Sequence, residues 1–212
     1  MKDRADGLLG RIASYIDASY RREGTPPVEV VGPFSLYWDA ARPTLGERNF
    51  SAADVKALLP YSHVVEWSKL QWIVELSPKL APAVAKAGLA VYVRPILGLF
   101  AGDSRFNPDA TADATIEVVH YEHHVTASAS LDGEGVGWGI HDPLGDVTEI
   151  TRLRVNNAFR HRGIGTAIAT TLTRDAFDRG TRIVFLESET TTVPLYERIG
   201  FRVIGSMGRA EL

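Results

Sequence analysis

Short apolar runs alternate along the chain with polar breaks marked by glycine and proline, and the period of each run predicts its element. Leu8, Ile12, Ile16 and Tyr20 recur every four residues, so residues 3–22 are expected to form an amphipathic helix that Pro26-Pro27 ends. Residues 28–38, rich in Val, Phe, Leu and Tyr, read as a strand. Ser51-Ala52-Ala53-Asp54 resembles a capping box opening a short helix that stops before Pro60. Gln71 to Leu76 reads as a buried strand, Pro78 to Lys86 as a helix closed by Gly88, and Leu89 to Leu97 as a strand. In residues 98–114 Gly, Asp, Ser, Asn, Pro and Ala dominate, and the boundary between an N-terminal region, 1–105, and a C-terminal region, 106–212, is placed there. Beyond it strands are expected at 116–121, 125–131 and 135–141, with Asp132-Gly133 as a hairpin turn. A strand at 147–155, a helix at 163–179, a strand at 183–187, a short helix at 194–199 and a strand at 201–204 follow. This alternation predicts α/β layering.

A faint repeat runs through the pattern. At an offset of 112 residues, Glu75, Pro82, Gly88 and Val91 fall on Glu187, Pro194, Gly200 and Val203. Both stretches read strand, helix, glycine, strand. Any such unit ends its helix on glycine, so common ancestry and coincidence both remain open. Val84 stands where the second copy has Tyr196, and no glycine loop precedes the first copy.

Composition narrows the function. The chain has 212 residues, 45% of them apolar and 23% charged, as in globular domains. A net charge of −3 and a pI near 6.1 give no basic footprint for nucleic acid. No apolar run reaches the ~18 residues of a membrane span, and the N-terminus carries acids and leads into a helix, unlike a signal peptide. No membrane partner is expected, and a cytoplasmic location is. There is no cysteine, which removes disulfides, thiolate zinc sites and a thiol nucleophile.

The chemistry gathers at Arg160-His161-Arg162-Gly163-Ile164-Gly165-Thr166, between a predicted strand and a predicted helix. Glycine lets backbone approach a ligand closely, and the first amides of a helix have no internal partner and lie at the positive end of its dipole. With Arg160 and Arg162 they suit a diphosphate. A P-loop needs a lysine that is missing here, and a dinucleotide fingerprint needs glycine where Ile168 stands.

The pattern R-x-x-G-x-G after a strand resembles the pyrophosphate loop of the GNAT superfamily of acyl-CoA-dependent N-acyltransferases. Glu149-Ile150-Thr151-Arg152-Leu153-Arg154-Val155 is similar to that family's fourth strand, and Leu195-Tyr196-Glu197-Arg198-Ile199-Gly200-Phe201 to its LYExxGF segment. The resemblance covers about residues 115–208. Asn157 stands where the family often has Pro, and Glu189 and Thr192 where Asn and Ala are frequent.

The resemblance implies a GNAT-type α/β fold: a mixed central sheet with flanking helices that splays at a bulge in the fourth strand. The N-terminal half must complete the sheet and is read as a degenerate half-GNAT. Leu153, Arg154 and Val155 would pair with the pantetheine arm of acetyl-CoA. Arg160, His161, Arg162, Gly163, Ile164, Gly165 and Thr166 would hold its diphosphate. Tyr196 is implied as the acid that protonates the departing thiolate. Glu149, at an offset where several members carry a glutamate base, is the candidate base; the alternative is a strand glutamate paired with an arginine such as Arg152. The expected reaction is direct transfer of an acetyl group to a primary amine on a small molecule or peptide, without metal. A non-catalytic acyl-CoA-binding or sensor protein is the rival reading. A homodimer, with the N-terminal half serving mainly for dimerisation, is a further one.

His120-Tyr121-Glu122-His123-His124 looks like metal-ligand chemistry, but alternation on a strand puts His120, Glu122 and His124 on one face and His123 on the other, and a polar strand face or loop is the expectation. Trp38, Trp67, Trp72 and Trp138 are scattered and read as core or pocket walls.

Overall fold

The computed structural model describes residues 2–22, 29–37, 40–44, 49–62, 69–109 and 112–212. These form two compact units, one of Met1–Pro95 with Ile204–Leu212 and the other of Ile96–Val203. Both layer helices on a mixed sheet. The division thus comes earlier than the composition change at 98–114 suggests, because the strand after Gly88 runs on to Phe100.

The first unit contains α1 (Lys2–Arg22), β1 (Glu29–Val31), β2 (Phe34–Leu36), β3 (Ala40–Pro43), α2 (Ala52–Leu58), β4 (Lys69–Ile73) and α3 (Leu80–Lys86). Its sheet runs β1-β2-β3-β4 and then takes β11 (Arg202–Glu211) against β4, with Met207 opposite Ile73 and Glu211 opposite Lys69. The stretch expected as one strand over 28–38 is two strands of a hairpin. Gly32, at φ 56°, turns the chain there, and Pro33 has no N–H to offer a ladder. Leu58, Leu80 and Val84 from the helices pack on Phe34, Leu70 and Trp72. On α1 the buried stripe is Leu9, Ile12 and Tyr15, rotated from the expected one but sharing Ile12. Leu9 lies where a Cβ on Gly205 of β11 would be, at 2.7 Å. Trp38 and Trp67 lie outside the described residues, and Trp72 is core.

In the second unit, residues Ile96–Phe100 of β5 (Tyr92–Phe100) pair with β10 (Ile183–Glu187). The order continues through β9 (Val147–Val155), β8 (Glu134–Leu144), β7 (Val125–Leu131) and β6 (Thr115–His120). Among the described residues only β9–β10 is parallel here, as only β3–β4 is in the first unit. The helices α4 (Ile164–Asp178) and α5 (Val193–Glu197) supply the rest. Ile164, Ile168, Leu172 and Ala176 form the buried face of α4 over Ala127, Ala129 and Ile150. Two glycines let α4 approach β8 closely. A Cβ on Gly139 would lie 2.9 Å from Leu153 and 3.1 Å from both Ile168 and Leu172, and one on Gly137 would lie 2.9 Å from the Arg154 carbonyl.

The 112-residue offset recurs in the elements. Ser51 and Gly163, the residues before α2 and α4, are related by it, as are the strand ends Pro43 and Val155. Gly88 and Gly200, both at positive φ, are related in the same way. One difference breaks the copying. The strand that follows the first glycine, β5, completes the second unit, and the strand that follows the second, β11, completes the first.

Candidate active site

Strands β9 and β10 pair for three rungs, ending at Glu149–Phe185. Beyond it β10 continues on its other side, with Leu186 and Glu187 opposite Leu97 and Ile96 of β5. Among the described residues, the edge of β9 from 150 to 155 that faces β10 has no strand partner. On its opposite edge β9 remains paired to β8, with a register shift: Ile140 faces Thr151 and Trp138 faces Arg154. Two β9 residues, Arg152 and Leu153, therefore oppose the single Gly139. Arg152 takes φ 53°, a left-handed geometry that a non-glycine residue rarely adopts, and it marks the bulge. The bulge re-aims the last residues of β9, and the two parallel strands open like a V whose apex is the Glu149–Phe185 rung.

The end of β9 feeds the glycine loop. Asn156 donates from its backbone to the Val136 carbonyl at 2.9 Å and from its side-chain amide to the Gly135 carbonyl at 3.0 Å, which fixes the exit from the strand. Residues Asn157–Phe159 form one 3-10 turn. His161 (φ 63°) and Gly163 (φ 79°) are both left-handed. Gly163 precedes α4 with no side-chain hydrogen bond to the helix start, and no acid stands in the first turn. The Ile164, Gly165 and Thr166 amides belong to the first turn, where no carbonyl of the same helix can satisfy them. Arg160 donates from Nε to the Val155 carbonyl at 3.3 Å, and the Arg162 guanidinium lies 5.9 Å from the Phe159 ring centroid. Both arginines are exposed at the mouth of the loop. A Cβ on Gly165 would sit 3.4 Å from Leu195 and 3.5 Å from Val155. The start of α4, the free end of β9 and α5 therefore converge on one point.

Tyr196 and Glu149 flank the V from opposite faces. Ile150, Leu186 and Tyr196 belong to the cluster under α4. Glu149, one residue from Ile150 on a pleated strand, projects to the other face, where it stands opposite Asp142 of β8. Glu149 is half-buried. Tyr196 is 8% exposed, with its ring edge-on to Phe201 at 6.0 Å. Burial pushes its phenol up to about 12, so it is protonated at neutral pH.

Residues 97–201 match the acetyltransferase (GNAT) family. The fold agrees. A GCN5-related N-acetyltransferase from Kribbella flavida superposes with a TM-score of 0.77 at 19% identity, over 95% of each chain. Residues 97–201 belong to the GNAT family. A second GCN5-related N-acetyltransferase, from Sphaerobacter thermophilus, aligns over 81% of this chain and 73% of its own, with a TM-score of 0.59 and 13% identity. A tandem GNAT protein of the clavulanic acid biosynthesis pathway aligns over 81% and 75%, with a TM-score of 0.57 and 11% identity. No curated protein matches the chain by sequence.

Within this GNAT domain the two positions that depart from the family pattern after β10 are tied into their own turn. Ser188 Oγ lies 2.6 Å from Thr192 Oγ1, which donates to the Glu189 carbonyl at 2.9 Å. The sequence reading missed Gly137, Gly139, the left-handed Arg152 and Asn156. Two glycines spaced by two in a strand are a usable sign of a close backbone approach; nothing local marks Arg152. The His120–His124 stretch ends β6 and turns, with Tyr121 stacked on His124 at 4.6 Å. Among the described residues no group of His, Cys, Asp or Glu is arranged to hold a metal ion, and no helix is long and apolar enough to cross a membrane.

Proposed function

We propose that the second unit transfers an acetyl group from acetyl-CoA directly to a primary amine of a small molecule or peptide. The observation that carries this reading is the edge of β9 left without a strand partner among the described residues, which begins at the Glu149–Phe185 rung and ends beside a helix start with no side-chain cap. A diphosphate suits the amides of 161–166 between Arg160 and Arg162, and an amide-bearing arm suits Leu153, Arg154 and Val155 as an added strand. Such an arm runs from the loop toward the apex, which brings its thioester between Glu149 and Tyr196.

The chemistry then divides between the two faces. An alkyl ammonium, with an ordinary pKa near 10.4, loses its proton to Glu149, directly or through water. The free amine attacks the thioester carbon, and a β9 backbone amide exposed beside the bulge stabilises the oxyanion. The C–S bond breaks toward Tyr196, whose hydroxyl donates to the sulfur. A phenol at about 12 yields its proton to a thiolate of ordinary pKa near 8.5 only uphill, by about 5 kcal/mol. Tyr196 therefore acts mainly as a hydrogen-bond donor to the leaving sulfur, and the proton that the attacking nitrogen sheds as the amide forms passes through water to the thiolate. With no cysteine in the chain, the acyl group passes within a ternary complex.

Calorimetry with CoA, followed by an amine panel with acetyl-CoA under mass detection, tests the reading. Binding and amine-dependent release of free CoA are expected, with intersecting initial-rate lines. Parallel lines, or an acylated protein after incubation with acetyl-CoA alone, would contradict direct transfer. CoA binding without turnover on any amine would favour a sensor.

A further inference from the structure

Away from the V, the α4 face of the second unit carries a polar group that acyl transfer does not use. Asp175, in the last third of α4, receives a histidine on each carboxylate oxygen. His120 Nε2 of β6 lies 2.7 Å from Oδ1, and His141 Nε2 of β8 lies 2.8 Å from Oδ2. We propose that His120, Asp175 and His141 form an acid-released latch that fastens the β6–β7 hairpin and β8 to α4.

The two histidines differ in what a proton does to them. A carboxylate only accepts, so each Nε2 carries a hydrogen, and a neutral His141 ring then has a bare Nδ1. The His120 side chain is 42% exposed, so water can serve the rest of its ring and a proton there leaves no buried group unpaired. His141 is 0% exposed, and its Nδ1 has no hydrogen-bond partner among the described residues. A proton placed there becomes a buried donor with nothing to receive it, which is costly. Charging His141 therefore releases the latch, whereas charging His120 does not.

The groups around His141 agree in direction. Burial lowers its pKa and His120 adds to the lowering, while Asp175 from α4 and Asp142 beside it on β8 pull upward without prevailing. The neighbours that His141 faces on β7 and β9, Val125 and Ile150, are apolar. For Asp175, burial raises the pKa, but the hydrogen bonds from His141 and His120 outweigh it and the carboxyl titrates below its ordinary value. On α4 itself, Arg174 donates to the Pro108 carbonyl, and Asp178 and Arg179 are exposed. Both shifts act with the same sign. A buried base with a lowered pKa keeps its full contribution above about pH 6.5 and loses it as the unfolded chain begins to bind the extra proton. The Asp175 contribution is present above its unfolded value and is lost only at much lower pH, as its lowered folded value is passed.

The test compares the full chain with H141Q and H120Q. Glutamine at 141 can still donate to Asp175 but cannot charge. Between about pH 7.5 and about pH 5 the wild-type Tm should fall by roughly 3–5 °C, H120Q should fall as much, and H141Q should lose most of the fall. Amide exchange in residues 115–131, corrected for its intrinsic pH dependence, should quicken at the lower pH in wild type and not in H141Q. An equal fall in H141Q overturns the latch. So does a wild-type His141 ring that NMR shows titrating at or above about 6.5, a result that needs no variant to fold.

Discussion

Two helices begin at equivalent places along the repeat, and their first turns are opposites. At α2, Ser51 Oγ accepts from the Asp54 amide and the Asp54 carboxylate receives the Ser51 amide, a closed capping box with an acid in the first turn. At α4, Gly163 brings no side chain, the first turn holds no acid, and Arg160 and Arg162 stand beside it. A cap and a ligand compete for the same orphan amides. The first helix has met its needs internally and repels an anion; the second leaves those amides for something else. The comparison gives a physical content to the idea that the first unit is a degenerate copy, namely that an anion site is lost when its helix start is capped.

The sharpest break of the comparison is to separate the halves. A fragment of residues 106–212 lacks Ile96–Phe100, which pair with β10, and carries Met207–Glu211 without β4. It should be insoluble or unfolded; a cooperative, CoA-binding fragment would show that neither half needs the other. Next, Gly163→Val forces a β-branched residue to φ 79° and narrows the loop. CoA affinity should drop about 100-fold or more, the scale of losing charged hydrogen bonds, while Ser51→Ala should leave it unchanged. Calorimetry reads both, and equal effects would dissolve the distinction between the two helix starts.

Smaller effects sharpen the chemistry. Glu149→Gln should lower kcat at neutral pH with a defect that shrinks as pH approaches the pKa of the amine. Tyr196→Phe should lower kcat by about 10- to 100-fold, at or below the low end for a positioned acid, with no alkaline rescue and nearly unchanged CoA affinity. Full activity in the phenylalanine variant would reduce the ring to packing. Least of all, Ser51→Ala should cost about 1 kcal/mol of stability, visible in urea melts and absent from every kinetic constant.

What could be read before folding was local. The loop, α4, β9 and the Ser51 box announce themselves within a few residues, because a helix start and a strand period are short-range facts. Tyr196 and Glu149 came from resemblance, and their opposite faces needed the pleat and the core around Ile150. The bulge depends on how Gly139 meets two residues of another strand, and no neighbour of Arg152 in the chain signals it. The last strand was expected over four residues and runs for ten, because Gly205, Ser206 and Gly208 weaken its pattern. Gly208 is needed for packing, since a Cβ there would meet Trp72 at 2.3 Å. The exchange of β5 and β11 is the least legible feature, being a choice of partner more than eighty residues away for β5 and more than a hundred and thirty for β11.

That exchange has a bearing on how the chain is made. Synthesis proceeds from the N-terminus, and early domains ordinarily fold as they emerge. Here the unit begun first waits for residues 204–212, which leave the ribosome after the whole second unit. Until then β4 presents a bare edge, open to wrong pairing. The second unit has its borrowed strand, residues 96–100, in hand before its own β6 appears. The later half needs nothing made after residue 203, whereas the earlier half closes only when β11 arrives.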